Sequence, residues 1–494
     1  MQNTRSYRRK VIVMKKRRLL SLLLALALLA GCAPVAESPA PDPTPTVSAA
    51  IPTPTPEPPE PVDFREFLDG VNAARKAIAA QTEPIELPAE YTPDFYEQNN
   101  TFTEEEMKLL TTKHDPQENL TREDLIADAE TFFTLLQTTY GAYYYFGGDD
   151  TFLPLLDAVK EDLTAAGAPT VSDLEGILYK HLSPVLVDGH FTLGSHPMRT
   201  THSLYMYYVP GLYLDSPDGV ENPDYIKPTI GPDGRICWWY AALSHDGRDL
   251  PATLDGNSLK WKLATSNNYP DDPAFSESQW RGVPVLTSRR MSAAQYLDAD
   301  AEKQALQRLA DCGGEYADSP LLIFDVRGNG GGSDRYIDSW FRGWIGAESF
   351  SRRSAGGPRY SQLSCRLIYP AEGMGTYGSY SPTGTWAERS GPTFVLQNKS
   401  VASSGETVIR NLRTAADVLF VGTPTLGCSL TPNNYSFYLP HSGLSCYFGT
   451  GLLFYETAEN REGVGFLPDL WVEPAMVMVQ VKKLIEYYGL NEEG

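Results

Sequence analysis

Cysteine and histidine are sparse in this sequence, and neither is clustered. Its six cysteines form no C-x-x-C pair and its seven histidines no H-E-x-x-H, so nothing reads as a metal site. No G-x-x-x-x-G-K-[ST] occurs, and the glycines that follow Arg327 miss the G-x-G-x-x-G spacing, so no nucleotide or other cofactor is implied by that loop. Basic charge is also short. Asp and Glu number 62 against 41 Lys and Arg, a formal balance of −21, which makes nucleic acid a poor partner. No internal repeat is apparent, and the apolar run from Leu19 to Ala30 falls short of the about 20 residues that span a bilayer.

That short run has another reading. It follows a basic cluster, Lys15 to Arg18, and ends in small residues and Cys32, as an export signal does. The ending "LAGC" resembles a bacterial lipobox, which implies a signal peptide over 1–31, lipidation of Cys32 and attachment to the outer face of the cytoplasmic membrane through a lipid anchor. Residues 32–62, rich in "TPTPTPEPPEP", favour extended polyproline conformers and read as a tether. Removal of residues 1–31 takes away eight basic and no acidic residues, leaving 33 Lys and Arg against 62 Asp and Glu. The cysteines that remain, Cys237, Cys312, Cys365, Cys428 and Cys446, are odd in number and widely spaced, so no disulfide framework is expected.

About 430 residues follow the tether, enough for two or three domains. Residues 63–200 are patterned as helices, with capping-box spacing at Thr121 and Asp124 and again at Ser172 and Glu175. Residues 201–295 turn to β-branched and aromatic runs, with Asp233-Gly234 suited to a tight hairpin. From 296 to 483 helix and strand alternate. The expectation is an α/β, multidomain chain: an N-terminal helical domain, a β-rich middle domain and an α/β core.

Two stretches of the core carry chemical interest. In "LLIFDVRGNGGG" a strand, Leu321 to Phe324, runs into Asp325, Arg327 and glycines whose N–H groups are able to converge on an anion; the loop suits a phosphate, an oxyanion or nothing. In "TFVLQNKSVASSGETVIRNL" a strand, Thr393 to Leu396, leads to a helix from about Ser404, followed by a strand at Val418 to Val421. Ser403 and Glu406 have the spacing of a capping box, but a helix N-terminus is also where a serine attacks while N–H groups receive the oxyanion.

Together "DVRGNGGG" and "SVASSGE…VGTPTLG" resemble motifs of the C-terminal-processing and tricorn-core family of serine peptidases, the tail-specific protease family. "LSPVLVDGHFTL" is similar to the family's D-G-H segment and "EGVGFLPDLWV" to its closing G-V-x-P-D segment, so four motifs in order cover roughly residues 120 to 475. The resemblance implies a ClpP/crotonase-like β-β-α core, peptide or protein substrates and Ser403 as nucleophile. It also implies an oxyanion hole from the N–H of Ser404 and one of Gly330 or Gly331. Where processing peptidases carry a catalytic lysine, this chain reads "LGCSL" with Cys428, and no lysine lies between Lys399 and Lys482. The tricorn-like branch uses a histidine and a glutamate, which implies His190 as base and Glu462 as its partner, with His441 and Glu459 as rivals. No PDZ counterpart is found between Thr201 and Arg290, so a grip on free C-termini does not carry over. A catalytically silent peptide-binding lipoprotein is the alternative, fed by Cys428; an acyl-CoA enzyme of the same fold is disfavoured by the export signal.

The lipobox reading makes Cys32 the single acylation site. Cys32→Ser is expected to abolish metabolic lipid labelling and to release the protein from the membrane fraction; unchanged labelling and fractionation would refute it.

Overall fold

The computed structural model describes residues 61–91, 101–198, 203–266, 269–293, 298–367, 379–459 and 461–491. The expected export signal, Cys32 and all but the end of the expected tether lie outside them. Five helices come first: α1 (Phe64–Ala79), α2 (Glu104–Thr111), α3 (Arg122–Thr139), α4 (Asp149–Ala165) and α5 (Val171–Leu182). Thr121 and Asp124 form the expected capping box of α3. At α5 the box is instead Thr170 with Asp173, two residues earlier than Ser172 and Glu175. Glu175 has other partners, the Ser195 amide at 2.7 Å and His196 at 2.8 Å, and so ties α5 to the turn between β1 (Thr192–Leu193) and β2 (His196–Pro197).

The β-rich segment contains β3 (Tyr205–Leu214), β4 (Ile226–Ile230), β5 (Ile236–Ser244), the two-stranded β6 (Thr253–Leu254) and β7 (Asn257–Ser258), and β8 (Lys262–Leu263). Its sheet runs β4-β5-β3-β8 and is antiparallel. Ile230 faces Ile236 across the Asp233-Gly234 turn, where Gly234 takes φ 102° as such a turn requires.

β9 (Phe275–Trp280) and β10 (Val283–Ser288) pair with each other and then with the core, so the central sheet extends to both sides of residue 295. The chain continues through α6 (Ala299–Asp311), β11 (Leu322–Asp325), α7 (Asp334–Ile345), β12 (Ser354–Pro358), α8 (Gln362–Leu367), β13 (Ser379–Ser381) and β14 (Thr393–Gln397). It closes with α9 (Ser404–Leu412), β15 (Val418–Gly422), the hairpin of β16 (Asn434–Tyr438) and β17 (Ser445–Gly449), β18 (Gly451–Tyr455), β19 (Leu470–Trp471) and α10 (Val477–Tyr487). The central order is β19-β15-β14-β11-β10-β9, parallel except at β9.

Both faces of this sheet are covered, which explains its unbroken apolar strands. Leu322, Phe324, Val395, Val418 and Phe420 pack under α6, α7 and α9. Their neighbours Ile323, Phe394, Leu396, Leu419 and Val421 face the opposite way, against α1 and α10. Successive residues of a strand point to opposite faces, so both layers have an apolar lining. α1 therefore belongs with the core: Arg75 is buried, donates to the Val418 carbonyl and grips Asp469 at 2.6 Å. Helices α2 to α5 share a second core with β1 and the β16–β17 hairpin, where Phe132, Tyr140, Phe191 and Phe448 meet. Burial of four such rings brings the helical layer and the sheet β16-β17-β1-β2 together, and with it the loop before β1. The chain is a mixed α/β multidomain protein.

Candidate active site

The site grows from the carboxyl ends of β11 and β14, where an open parallel sheet leaves a crevice. After β14 the chain turns through Asn398 to Ala402 into Ser403, which holds φ 52° and ψ −124° at the start of α9. This backbone region favours glycine, and occupying it with a side chain costs on the order of 1–3 kcal/mol. Ser403 makes no side-chain cap. Glu406 does not reach back to it either: its oxygens accept from Thr425 Oγ1, the Gly427 amide at 2.9 Å and the Cys428 amide at 2.8 Å. S-x-x-E is thus no capping box here. Glu406 instead fastens the helix to the turn carrying Cys428, whose carbonyl accepts from the Ser403 amide at 3.2 Å.

The glycine loop lies against this turn. Arg327 clamps Asp325 through Nε at 2.8 Å and Nη2 at 2.7 Å, and Arg289 adds a bond at 3.0 Å. Burial alone would push Asp325 up; the two guanidiniums reverse this and hold its carboxyl below the usual range. Asn329 then positions the loop, accepting the Gly331 amide on Oδ1 at 3.0 Å and the Ala402 amide on its carbonyl at 3.0 Å. A Cβ on Gly331, φ 104°, would sit 2.7 Å from Ser403 Cβ, so only glycine permits the approach. Of the two candidate glycines, Gly331 has therefore committed its N–H to Asn329. Among the described residues the Gly330 and Ser404 amides donate to nothing, as expected for a helix start and an exposed loop tip.

His190 arrives from outside the core, on the loop between α5 and β1. Asp188, fully buried, accepts from the His190 amide at 2.8 Å, Tyr140 Oη at 2.7 Å and Thr431 Oγ1 at 2.8 Å. Gly189 packs so closely on Cys428 that a Cβ would lie 2.7 Å from the sulfur. The Gly189 amide donates to Glu462 Oε2 at 2.7 Å, while Glu462 Oε1 accepts from Ser429 and Leu430 at 2.5 and 2.6 Å. Burial first, and the Asp188 charge second, raise the pKa of Glu462 to about 8 against the three N–H donors.

The other candidates fall elsewhere. His441 sits in the β16–β17 turn, its amide on Asp128 at 2.9 Å and Nδ1 at 3.0 Å from Gln117. Glu459 is exposed. Lys399, which sequence reasoning used only as the edge of a lysine-free interval, is buried, and burial lowers its pKa to about 8. Its ammonium donates to the carbonyls of Thr425, Leu426, Gly463 and Val464 at 2.8 to 3.4 Å. Four acceptors leave it no capacity as a base, and its work is to join the Cys428 turn to the Glu462 segment. Asp188, Asn329 and Lys399 act through contacts 26 to 243 residues away in sequence or through local turns, and no spacing signals them.

Ser403, Ser404, His190, Gly330, Gly331 and Cys428 line one cleft of about 930 Å³. Residues 289–472 match the sequence model of peptidase family S41. Residues 289–472 are therefore of the peptidase family S41 type, a family of serine-type peptidases. The S41 match takes in the glycine loop, Ser403 and Glu462; His190 lies outside it and is supplied by the fold. No curated protein matches the chain. Similar solved structures include mature CPAF complexed with lactacystin (13% identity, 75% of this chain and 99% of that one, TM-score 0.43). A putative peptidase from Parabacteroides merdae shares 18% identity over 76% of this chain and 98% of its own, TM-score 0.42. The photosystem II D1 C-terminal processing protease shares 13% over 75% and 98%, TM-score 0.36.

Two predictions follow from this geometry. Ser403→Gly removes the strain of a positive φ and is expected to raise unfolding stability by about 1 kcal/mol, whereas Ser403→Ala keeps the strain; equal denaturation midpoints for the two variants would contradict it. Glu462 has a folded-state pKa above its ordinary value of 4.5, so its contribution is complete below about 4.5 and is lost as pH rises toward about 8. The melting temperature of the wild type is expected to fall more steeply across that window than that of Glu462→Gln, measured by calorimetry; parallel profiles would contradict it.

Proposed function

We propose that this S41 peptidase is an exported, membrane-tethered enzyme that cleaves peptide bonds through Ser403, with His190 as base. The observation that carries the reading is the conformation of Ser403: a strained turn that offers the hydroxyl to the cleft rather than to the helix amides. Strain of this size persists where the surrounding structure over-determines it, and here four contacts do so, from Asn329, Cys428, Glu406 and Gly331.

In the reaction Ser403 Oγ attacks the carbonyl carbon and its proton passes to His190. The carbonyl oxygen, now negative, accepts from the Ser404 and Gly330 amides. Collapse breaks the C–N bond, and the amine leaves with the proton from His190. Water then hydrolyses the acyl-enzyme by the same route. Glu462 steadies the base by holding the Gly189 amide beside it. The extracytoplasmic, lipid-anchored setting rests on the signal-like segment, "LAGC" and the proline-rich tether.

A fluorophosphonate probe is expected to label Ser403 and no other serine, read by mass spectrometry, with labelling lost in Ser403→Ala. His190→Ala is expected to lower kcat by about 1000-fold or more with the melting temperature retained, and kcat/KM of the wild type to rise with pH as the imidazole loses its proton. An adduct on Ser404 or Ser400, or near-normal turnover in His190→Ala, would overturn the assignment.

A further inference from the structure

The cleft of this acidic chain is lined by three arginines, Arg289, Arg290 and Arg410, and by one carboxylate, Asp334. Two of the arginines are committed. Arg289 binds Asp272 at 2.9 Å, Asp325 at 3.0 Å and the Arg327 carbonyl at 2.8 Å. Arg290 binds Glu302 at 3.0 Å and the Asp272 carbonyl at 2.6 Å.

Arg410 differs. It is 8% exposed, its guanidinium lies over the Tyr455 ring at 4.1 Å, and Nη2 donates to Thr407 Oγ1. Its Nε and Nη1 are buried with no hydrogen-bond partner, and no carboxylate pairs with it among the described residues. A buried guanidinium without an anion is costly, and Arg410 lines the wall of the cleft, so a charge brought in by a substrate would find its counter-ion there. Arg410 lies six residues into α9 from Ser404, about 10 Å along the helix axis from the Ser403 end. An extended peptide covers that distance in about three residues.

We propose that Arg410 is the anion subsite of the cleft, its guanidinium binding a substrate carboxylate about three residues from the scissile bond. The carboxylate has two sources, an Asp or Glu side chain within the substrate or the substrate's own C-terminus. The Tyr455 ring and Thr407 hold the guanidinium plane, which pre-orients the fork and lowers the ordering cost of binding.

This inference rests on the peptidase reading above, and its test separates the two. Quenched fluorogenic peptides that the wild type cleaves are compared in matched pairs, Asp against Asn and Glu against Gln at each position within four residues of the bond, and a free against an amidated C-terminus. The wild type is expected to prefer the acid member by about tenfold or more in kcat/KM in one of these arms, which names the source. Arg410→Gln is expected to bring that ratio to within about twofold, and Arg410→Lys to keep part of it, since it retains the charge but not the fork. Fluorophosphonate labelling of Ser403 and melting temperature are followed in parallel. A flat ratio in a wild type that labels at Ser403, or a ratio that survives in Arg410→Gln, overturns the subsite alone. Absence of both labelling and cleavage in the wild type overturns the peptidase reading and the subsite with it.

Discussion

The site depends on where the Glu462 carboxylate sits. It is buried, and its two oxygens gather three backbone amides from segments far apart in the chain: Gly189 before β1, and Ser429 and Leu430 after β15. A buried carboxyl left without such donors would be strongly destabilising, so the three segments are held to one another as firmly as the fold is held together. His190 follows Gly189 directly, and Cys428 precedes Ser429. One hydrogen-bonded cluster thereby brings the histidine loop to the turn that supports Ser403.

The surrounding buried ions serve the same end. Lys399 pins the two segments flanking Glu462 by their carbonyls, Glu406 pins the Cys428 turn by its amides, and Asp325 with Arg327 and Arg289 pins the base of the glycine loop. Each has its hydrogen bonds satisfied within the protein and is therefore a scaffold element. Arg410 is the exception, with two N–H groups unspent at the cleft wall. The contrast between spent and unspent charges separates the parts that build the cleft from the part available to a substrate.

Strain and packing set the nucleophile. The glycines at 331 and 405 let the loop and the Ser403 turn approach until any Cβ would strike backbone, 2.2 Å from the Asn329 carbonyl in the case of Gly405. Such contact holds the glycine loop at Gly331 against Ser403 before any substrate arrives.

Much of this was legible in the chain itself. The strands at 321–324, 393–396 and 418–421, the helix from Ser404 and the cap at Thr121 are local features, set by apolar runs, glycine and capping chemistry, and they appear within a residue of their expected places. The cap at α5 was displaced because Thr170 with Asp173 makes the same box two residues earlier and Glu175 is drawn off by Ser195 and His196, long-range partners no local pattern records. The sequence by itself determined the α/β alternation, the four motifs and their order, since these depend on residue type and spacing. Only the tertiary structure decided that Glu406 braces a turn rather than caps a helix, that Gly331 has surrendered its amide, that Lys399 is caged, and that Arg410 stands unpaired. Those outcomes depend on which donors and acceptors meet across tens or hundreds of residues, and a hydrogen bond satisfied at long range leaves no periodicity in the sequence.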